Sequence, residues 1–141
     1  MKQFPDVVDL YVKKNFLAEV VKNNALKFGD FKLSSGEQSN YFIDCSKLWN
    51  SECLFLIAEY ILNIIKPTLS QACGFQVGGP SIGVDPIVGA LLTLARSKGY
   101  NLYGFLMRKD GNIEGICCPI STLIIDDVAT TGKQLHKTIS C

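Results

Sequence analysis

The chain has 141 residues, enough for one domain around one core. Hydrophobic residues make up 48% and charged residues 19%, the balance of a folded globular chain and not of a disordered one. A net charge of +1 gives no electrostatic basis for binding nucleic acid or an anionic membrane surface. The start, Met1 to Asp6, has no apolar signal core, and the most apolar run, Leu54 to Ile65, is interrupted by Glu59 and Asn63 and is too short to span a bilayer. A cytoplasmic location is therefore expected. The six cysteines form no C-x-x-C pair and His136 is the only histidine, so no protein-held metal is expected.

From Asp6 to Leu26, apolar residues recur at helical spacing (Val7, Leu10, Tyr11, Phe16, Leu17, Val20, Val21), which predicts one or two amphipathic helices. Phe28 to Leu33 and Tyr41 to Asp44 read as strands about the polar turn Ser34 to Asn40, a hairpin that composition alone leaves as an ordinary surface one. Ser51 to Lys66 predicts a helix, with Ser51 as its N-cap, Leu54, Ile57, Ala58, Ile61, Leu62 and Ile65 as its buried face, and Pro67 as its stop. Ala72 to Val77 predicts a strand. It runs into the glycine-rich turn Gly78-Gly79-Pro80-Ser81-Ile82-Gly83 and then a helix from Ile87 to Lys98. Such a turn can bring backbone N–H groups to an anion, although it is neither a P-loop nor a dinucleotide fingerprint.

Asn101 to Met107 predicts the next strand, with Arg108 and Lys109 at its end; from charge alone this is equally an anion contact or a solvated strand end. Asp110 to Gly115 turns the chain back, and Gly115 to Pro119 is expected to complete a second hairpin. Ser121 to Ile125 is β-branched and apolar, as a central strand is. It delivers Asp126 and Asp127 to its C-terminal end, where open α/β sheets bind ligands. Val128, Ala129, Thr130, Thr131 and Gly132 follow as a tight loop into a helix, whose positive end would face the same spot. A carboxylate pair for sugar hydroxyls beside a phosphate cradle is what a 5-phosphoribose requires.

The stretch Ile124 to Gly132 resembles the phosphoribosyl pyrophosphate (PRPP) motif of type I phosphoribosyltransferases. The segment Gly29-Asp30-Phe31-x-Leu33-x-Ser35-Gly36-x-x-Ser39-x-Tyr41-Phe42-Ile43-Asp44 and the Gly-Gly-Pro loop resemble the hood and pyrophosphate loop of orotate phosphoribosyltransferases. The resemblance implies an α/β fold with a mainly parallel, twisted sheet flanked by helices and a small N-terminal hood. It makes residues 1–141 a single phosphoribosyltransferase domain, with helices and hood to about residue 45 and an α/β core from about residue 51 that is C-terminally incomplete relative to the family. It implies conversion of orotate and PRPP to orotidine 5′-monophosphate and pyrophosphate in pyrimidine (UMP) biosynthesis. Asp126 and Asp127 would take the ribose hydroxyls, and Val128 to Gly132 the 5-phosphate. Gly78, Gly79, Ser81, Gly83, Arg108 and Lys109 would take the pyrophosphate, with Mg²⁺ carried by PRPP and water. Ser35, Gly36, Tyr41 and Phe42 would hold orotate, and the assembly would be a homodimer.

The chain departs from the family pattern in two further places. Ser34 stands where many members have a lysine, and Asp110-Gly111-Asn112 replaces a longer loop carrying a lysine and a histidine. A second reading follows from these departures: a PRPP- or nucleotide-binding homologue with little or no turnover, or a transferase for another base.

Overall fold

The computed structural model describes residues 7–33, 36–69, 74–129 and 132–139. Helix α1 (Val7–Asn24) is continuous and leads into strands β1 (Leu26–Lys32) and β2 (Gln38–Ile43). The strands pair antiparallel as the expected hairpin, with a register shift between Phe28 and Phe31. Gly29 sits in that shift with φ 154°. Phe31 and Phe42 stack across the hairpin at 5.6 Å between ring centroids. Of the α1 residues expected on a buried face, Val20 and Val21 pack against Ala25, Leu48 and Cys53 as a small second core. Tyr11 and Phe16 do not: they are exposed, at 66% and 45%.

A 3-10 turn, Cys45–Leu48, precedes helix α2 (Ser51–Leu69). Its N-cap is Asn50 and not Ser51, because the Asn50 side-chain oxygen accepts the Cys53 N–H at 2.9 Å, the usual cap bond to the first helical turn. Nor does Pro67 stop the helix: it lies inside the last turn, and the helix runs on to Leu69.

The main sheet has strand order β5-β4-β3-β6. Strands β3 (Phe75–Pro80), β4 (Tyr103–Met107) and β6 (Ser121–Ile124) are mutually parallel in that order, and the short β5 (Ile113–Gly115) adds antiparallel to β4. The second hairpin thus returns earlier than the expected Gly115 to Pro119. Helix α3 (Asp85–Ser97) packs with α2 on one face, over Phe75, Val77, Leu106, Leu123 and Ile125. Helix α4 (Lys133–Ile139) packs on β3 and β6. It covers the other face, where Gln76 and Phe105 lie. Helices on both faces of a mainly parallel sheet are what the sequence predicted.

Strand β3 is buried at every residue and extends through Gly78-Gly79-Pro80, which the sequence reading had placed in the following turn. These glycines are strand residues because there is no room for side chains. A Cβ at Gly78 would collide with the Phe105 carbonyl oxygen and come within 2.7 Å of its ring. A Cβ at Gly79 would collide with the Ile125 carbonyl. On the other face the buried Gln76 amide donates to the Cys118 carbonyl and the Thr122 hydroxyl, each at 2.8 Å. Its oxygen accepts the Cys118 N–H at 2.9 Å. This polar staple fixes β6 beside β3. Residues Ala72 and Cys73 of the expected strand lie outside the described residues.

Two glycine substitutions separate packing from propensity. Gly79→Ala is expected to destabilise by about 3 kcal/mol, the upper part of the overpacking range, because its obstacle is backbone. Gly89→Ala, at an exposed position of helix α3 with nothing within 4 Å of an added Cβ, is expected to stabilise by about 0.5–1 kcal/mol. Urea unfolding midpoints measure both; equal effects would mean that β3 can spread.

Candidate active site

Three parallel strands end at one edge of the sheet, and the loops that follow them lie side by side. The Ser81 N–H donates to the Met107 carbonyl at 2.9 Å, and the Ile125 N–H to the Gly78 carbonyl at 2.8 Å. The ladder is therefore still closed where the loops depart. With about 4.8 Å between neighbouring strands, the Ser81–Gly83 turn sits in the middle, flanked by Arg108 on one side and Asp126 on the other.

The middle loop is shaped by small contacts. The Ser81 hydroxyl bonds the Asp85 carboxylate, at 2.9 Å to each oxygen, and so holds the first turn of α3. Gly83 lies against the Asp127 carboxylate; an added Cβ would come within 2.6 Å of its Oδ1 and collide with Oδ2. Gly83 is therefore the condition for Asp127 to reach the loop. Gly78 and Gly79 lie one step back in β3, their backbones engaged in the sheet.

Asp126 and Asp127 sit where the sequence placed them, just past β6, with Asp126 half-buried and Asp127 exposed. The Asp126 Oδ1 accepts the Asp127 N–H at 3.0 Å. Burial, and then the negative charge of Asp127, push the Asp126 carboxyl above the ordinary aspartate range. Val128 and Ala129 follow as an exposed loop. Gly132 has φ 72°, a left-handed conformation suited to glycine, and its carbonyl accepts the His136 N–H of α4 at 3.0 Å. Thr130 and Thr131 lie outside the described residues.

The cations occupy a tight turn between β4 and β5. The Arg108 N–H donates to the Asn112 carbonyl at 2.8 Å, and the Asp110 carboxylate accepts from Asn112 at 2.8 and 3.0 Å. The Arg108 Nη2 lies 2.7 Å from Glu114 Oε2. That bond pushes the guanidinium pKa up and holds the Glu114 carboxyl below its ordinary range. Lys109 is exposed.

In the hairpin, Gly36 has φ 90° and its N–H closes onto the Leu33 carbonyl at 2.9 Å. Ser35 lies outside the described residues. Tyr41 and Phe42 are 50% and 41% exposed, open for a ligand to stack on. A cavity of about 290 Å³ lies between this N-terminal unit and the core, walled by Ile43, Trp49, Leu54, Ile57 and Ile87 and reaching Gly83, Asp126 and Asp127. Tyr41 and Phe42 are not among its lining residues.

Cys45 was not foreseen as a site residue. Its thiol lies 3.7 Å from the Asp127 carbonyl oxygen, and burial together with the charges of Asp127, Asp44 and Asp126 pushes its pKa to about 11. It is a neutral thiol at physiological pH and no nucleophile. The next-door Asp44 is held at about 2 by Lys27, 2.8 Å away, and by the Ser46 hydroxyl. Glu114 was also missed; only the β4–β5 register, not sequence spacing, brings it to Arg108.

No family model matches the chain. Among curated proteins, it is similar to the orotate phosphoribosyltransferase of Rhodopirellula baltica, 30% identical over 134 residues that cover 87% of this chain and 69% of the relative. It is 32% identical to that of Methanosphaera stadtmanae over 135 residues, covering 90% and 72%. Among solved structures, the orotate phosphoribosyltransferase of Mycobacterium tuberculosis H37Rv, in complex with Fe(III) dicitrate, superposes with a TM-score of 0.72 at 25% identity, covering 91% of this chain and 73% of that one. The same mycobacterial enzyme in complex with PRPP shares the fold, with a TM-score of 0.65 at 24% identity, covering 91% and 75%. Identity of this level over two thirds or more of the relatives' length, on a shared fold, places the chain in the orotate phosphoribosyltransferase family of pentosyl-transferring enzymes.

Proposed function

We propose that this chain transfers the 5-phosphoribosyl group of PRPP to orotate in pyrimidine biosynthesis. The bond from ribose C1 to the pyrophosphate oxygen breaks, a bond from C1 to a ring nitrogen forms, and pyrophosphate leaves with the bonding electrons. The observation that carries this reading is the meeting of Asp126 and Asp127, the Ser81–Gly83 loop and Arg108 at the ends of three adjacent parallel strands. Carboxylates accept hydroxyl protons, so Asp126 and Asp127 suit the ribose diol. The Ser81–Gly83 turn, Arg108 and Lys109 take the pyrophosphate, and Val128 to Gly132 take the 5-phosphate. The protein's contribution is to hold three reacting parts in line and to meet the charge that develops on the leaving group. The hairpin, through Ser35, Gly36, Tyr41 and Phe42, supplies the base site.

Mg²⁺ fits this arrangement. Among the described residues, no cluster of three or more His, Cys, Asp or Glu could cage a metal, and Asp126 and Asp127 offer hard oxygen donors beside the anion loops. That donor set suits an ion that keeps most of its waters and rides on substrate phosphates. Bound there, Mg²⁺ would neutralise charge on the departing pyrophosphate. Among the described residues no helix is long and apolar enough to cross a membrane.

Pyrophosphate release with PRPP, Mg²⁺ and a panel of bases tests the assignment, beside a direct PRPP titration. Orotate is the expected acceptor; release with a different base only would overturn it. Arg108 to Asn112 forms a closed turn, too short to fold over the site, so PRPP binding is expected to be retained while turnover is slowed by about 10²-fold or more, the size of losing one comparable electrostatic contact. Several turnovers per second would show that no closing loop is needed.

Asp126→Asn should separate binding from stability. PRPP affinity should fall by about 1.5–3 kcal/mol, the value of a charge-assisted hydrogen bond. Folding stability should rise, because a carboxyl whose folded pKa is raised favours the fold only below its unfolded pKa and loses that contribution as pH rises through the folded value. At neutral pH the wild-type carboxylate is thus a cost, which asparagine removes. Calorimetry at pH 7, and thermal melts both below the ordinary aspartate pKa of 3.8 and at pH 7, read both; a gain from the substitution that does not grow between those two pH values would refute the burial argument.

We also propose a homodimer. Tyr11, Val12, Phe16 and Phe28 present large apolar groups on α1 and the hairpin, at 66%, 58%, 45% and 80% exposure. Light scattering at micromolar concentration is expected to give twice the chain mass, and a monomer would overturn the assignment.

A further inference from the structure

We propose that Glu114 is a built-in counter-ion that occupies Arg108 when the site is empty and yields it to pyrophosphate. The inference rests on the reading above that Arg108 meets pyrophosphate, and it adds a residue that the reading leaves without a role. Arg108 follows the last residue of β4, next to the Ser81 turn, whose N–H bonds the Met107 carbonyl at 2.9 Å. Glu114 stands on the edge strand β5, opposite Leu106 in register. The backbone between them is fixed: Arg108 N–H to Asn112, Gly111 N–H to Arg108, and the Asp110 carboxylate on Asn112 close the turn. Any exchange at this site must therefore come from the two side chains.

Those side chains are free to exchange partners. Their contact is 2.7 Å, yet both lie in water, with side-chain exposures of 45% for Arg108 and 56% for Glu114. An exposed pair of this kind contributes little, because solvent screens it and two long side chains must be held still. A guanidinium presents one planar fork, and a carboxylate and a phosphate compete for it. Glu114 thus keeps Arg108 extended beside the anion loop without binding it so tightly that a polyanion cannot take over. It also offers Arg108 a partner as pyrophosphate departs, which favours release. Asp85 and Asp110 add to the negative field at Arg108, but Glu114 alone is hydrogen-bonded to its side chain among these.

Titration of Mg²⁺-pyrophosphate into the whole chain by calorimetry tests this with three variants. Glu114→Gln, at an exposed position, is expected to bind about two- to fivefold more tightly, the modest gain of freeing a solvent-screened pair. Glu114→Asp keeps the charge but shortens the reach by one methylene, and it should also bind more tightly. If only the Gln variant tightens, the effect is a general field and the counter-ion proposal fails. Unchanged or weaker binding in Glu114→Gln overturns it as well, since Glu114 would then be orienting Arg108 for the ligand. Arg108→Gln tests the underlying reading separately: pyrophosphate affinity equal to wild type would remove Arg108 from the site, whatever Glu114 does.

Discussion

The close approach of three parallel strands at Gly78 and Gly79 is the constraint on which the rest of the structure depends. Each added Cβ would meet a backbone carbonyl of the neighbouring strand, Phe105 on one side and Ile125 on the other. Side chains are excluded there, so β4 and β6 can end level with β3 and their loops can share one edge. Gln76 reinforces the arrangement two residues before Gly78, bridging β3 to the segment that precedes β6 and to Thr122 itself. A buried amide with all these partners satisfied specifies one register; a strand slipped by one residue would bury it unpaired.

The same geometry sets the electrostatics. Asp126 lies half-buried beside the Asp127 carboxylate, and burial together with that neighbouring charge disfavours its ionised form. Gly83 brings a backbone turn against the Asp127 carboxylate instead of a side chain, so the carboxylate pair and the anion loop are within reach of one ligand. Sugar hydroxyls can quench the first and phosphates the second. A ligand carrying both thus relieves a cost already present in the folded chain, and binding and folding pull against each other at Asp126.

Much of this was legible in the chain. The β-branched run before Asp126, the helical spacing of α2 and the cation pair after Met107 each follow from local periodicity, and all three elements form where that periodicity put them. What escaped was set by distance in sequence. Gly78-Gly79-Pro80 has turn composition, yet burial between two neighbours makes it strand, and no local signal reports neighbours 27 and 46 residues away. Pro67 carries a helix-stop signal, but in the last turn of an already packed helix that signal is overridden. Asn50 and not Ser51 is the cap because its carbonyl accepts the Leu54 N–H at 3.0 Å while its side chain accepts the Cys53 N–H. Tyr11 and Phe16 keep the helical period yet stay exposed, so periodicity over-read their burial.

The hood and the carboxylates communicate through packing more than through polar contacts. Ala25, Leu48 and Cys53, with Val20, Val21 and Ile43, form a small core under the hairpin that is separate from the main one. It anchors the 3-10 turn, and the turn carries Cys45 to the Asp127 carbonyl. A 3.7 Å thiol contact is weak, so the position of the hood relative to Asp127 is set mainly by how well that core is filled. The cavity of about 290 Å³ beside it indicates that the filling is incomplete. A two-stranded hairpin is marginal by itself, and this one leans on a small core next to a void. The hairpin end of the candidate site is therefore the softer part, and the carboxylate end, built on the glycine-tight sheet, is the rigid one. A base held as we propose would rest on this softer part, whereas PRPP would meet loops that leave a tightly paired sheet.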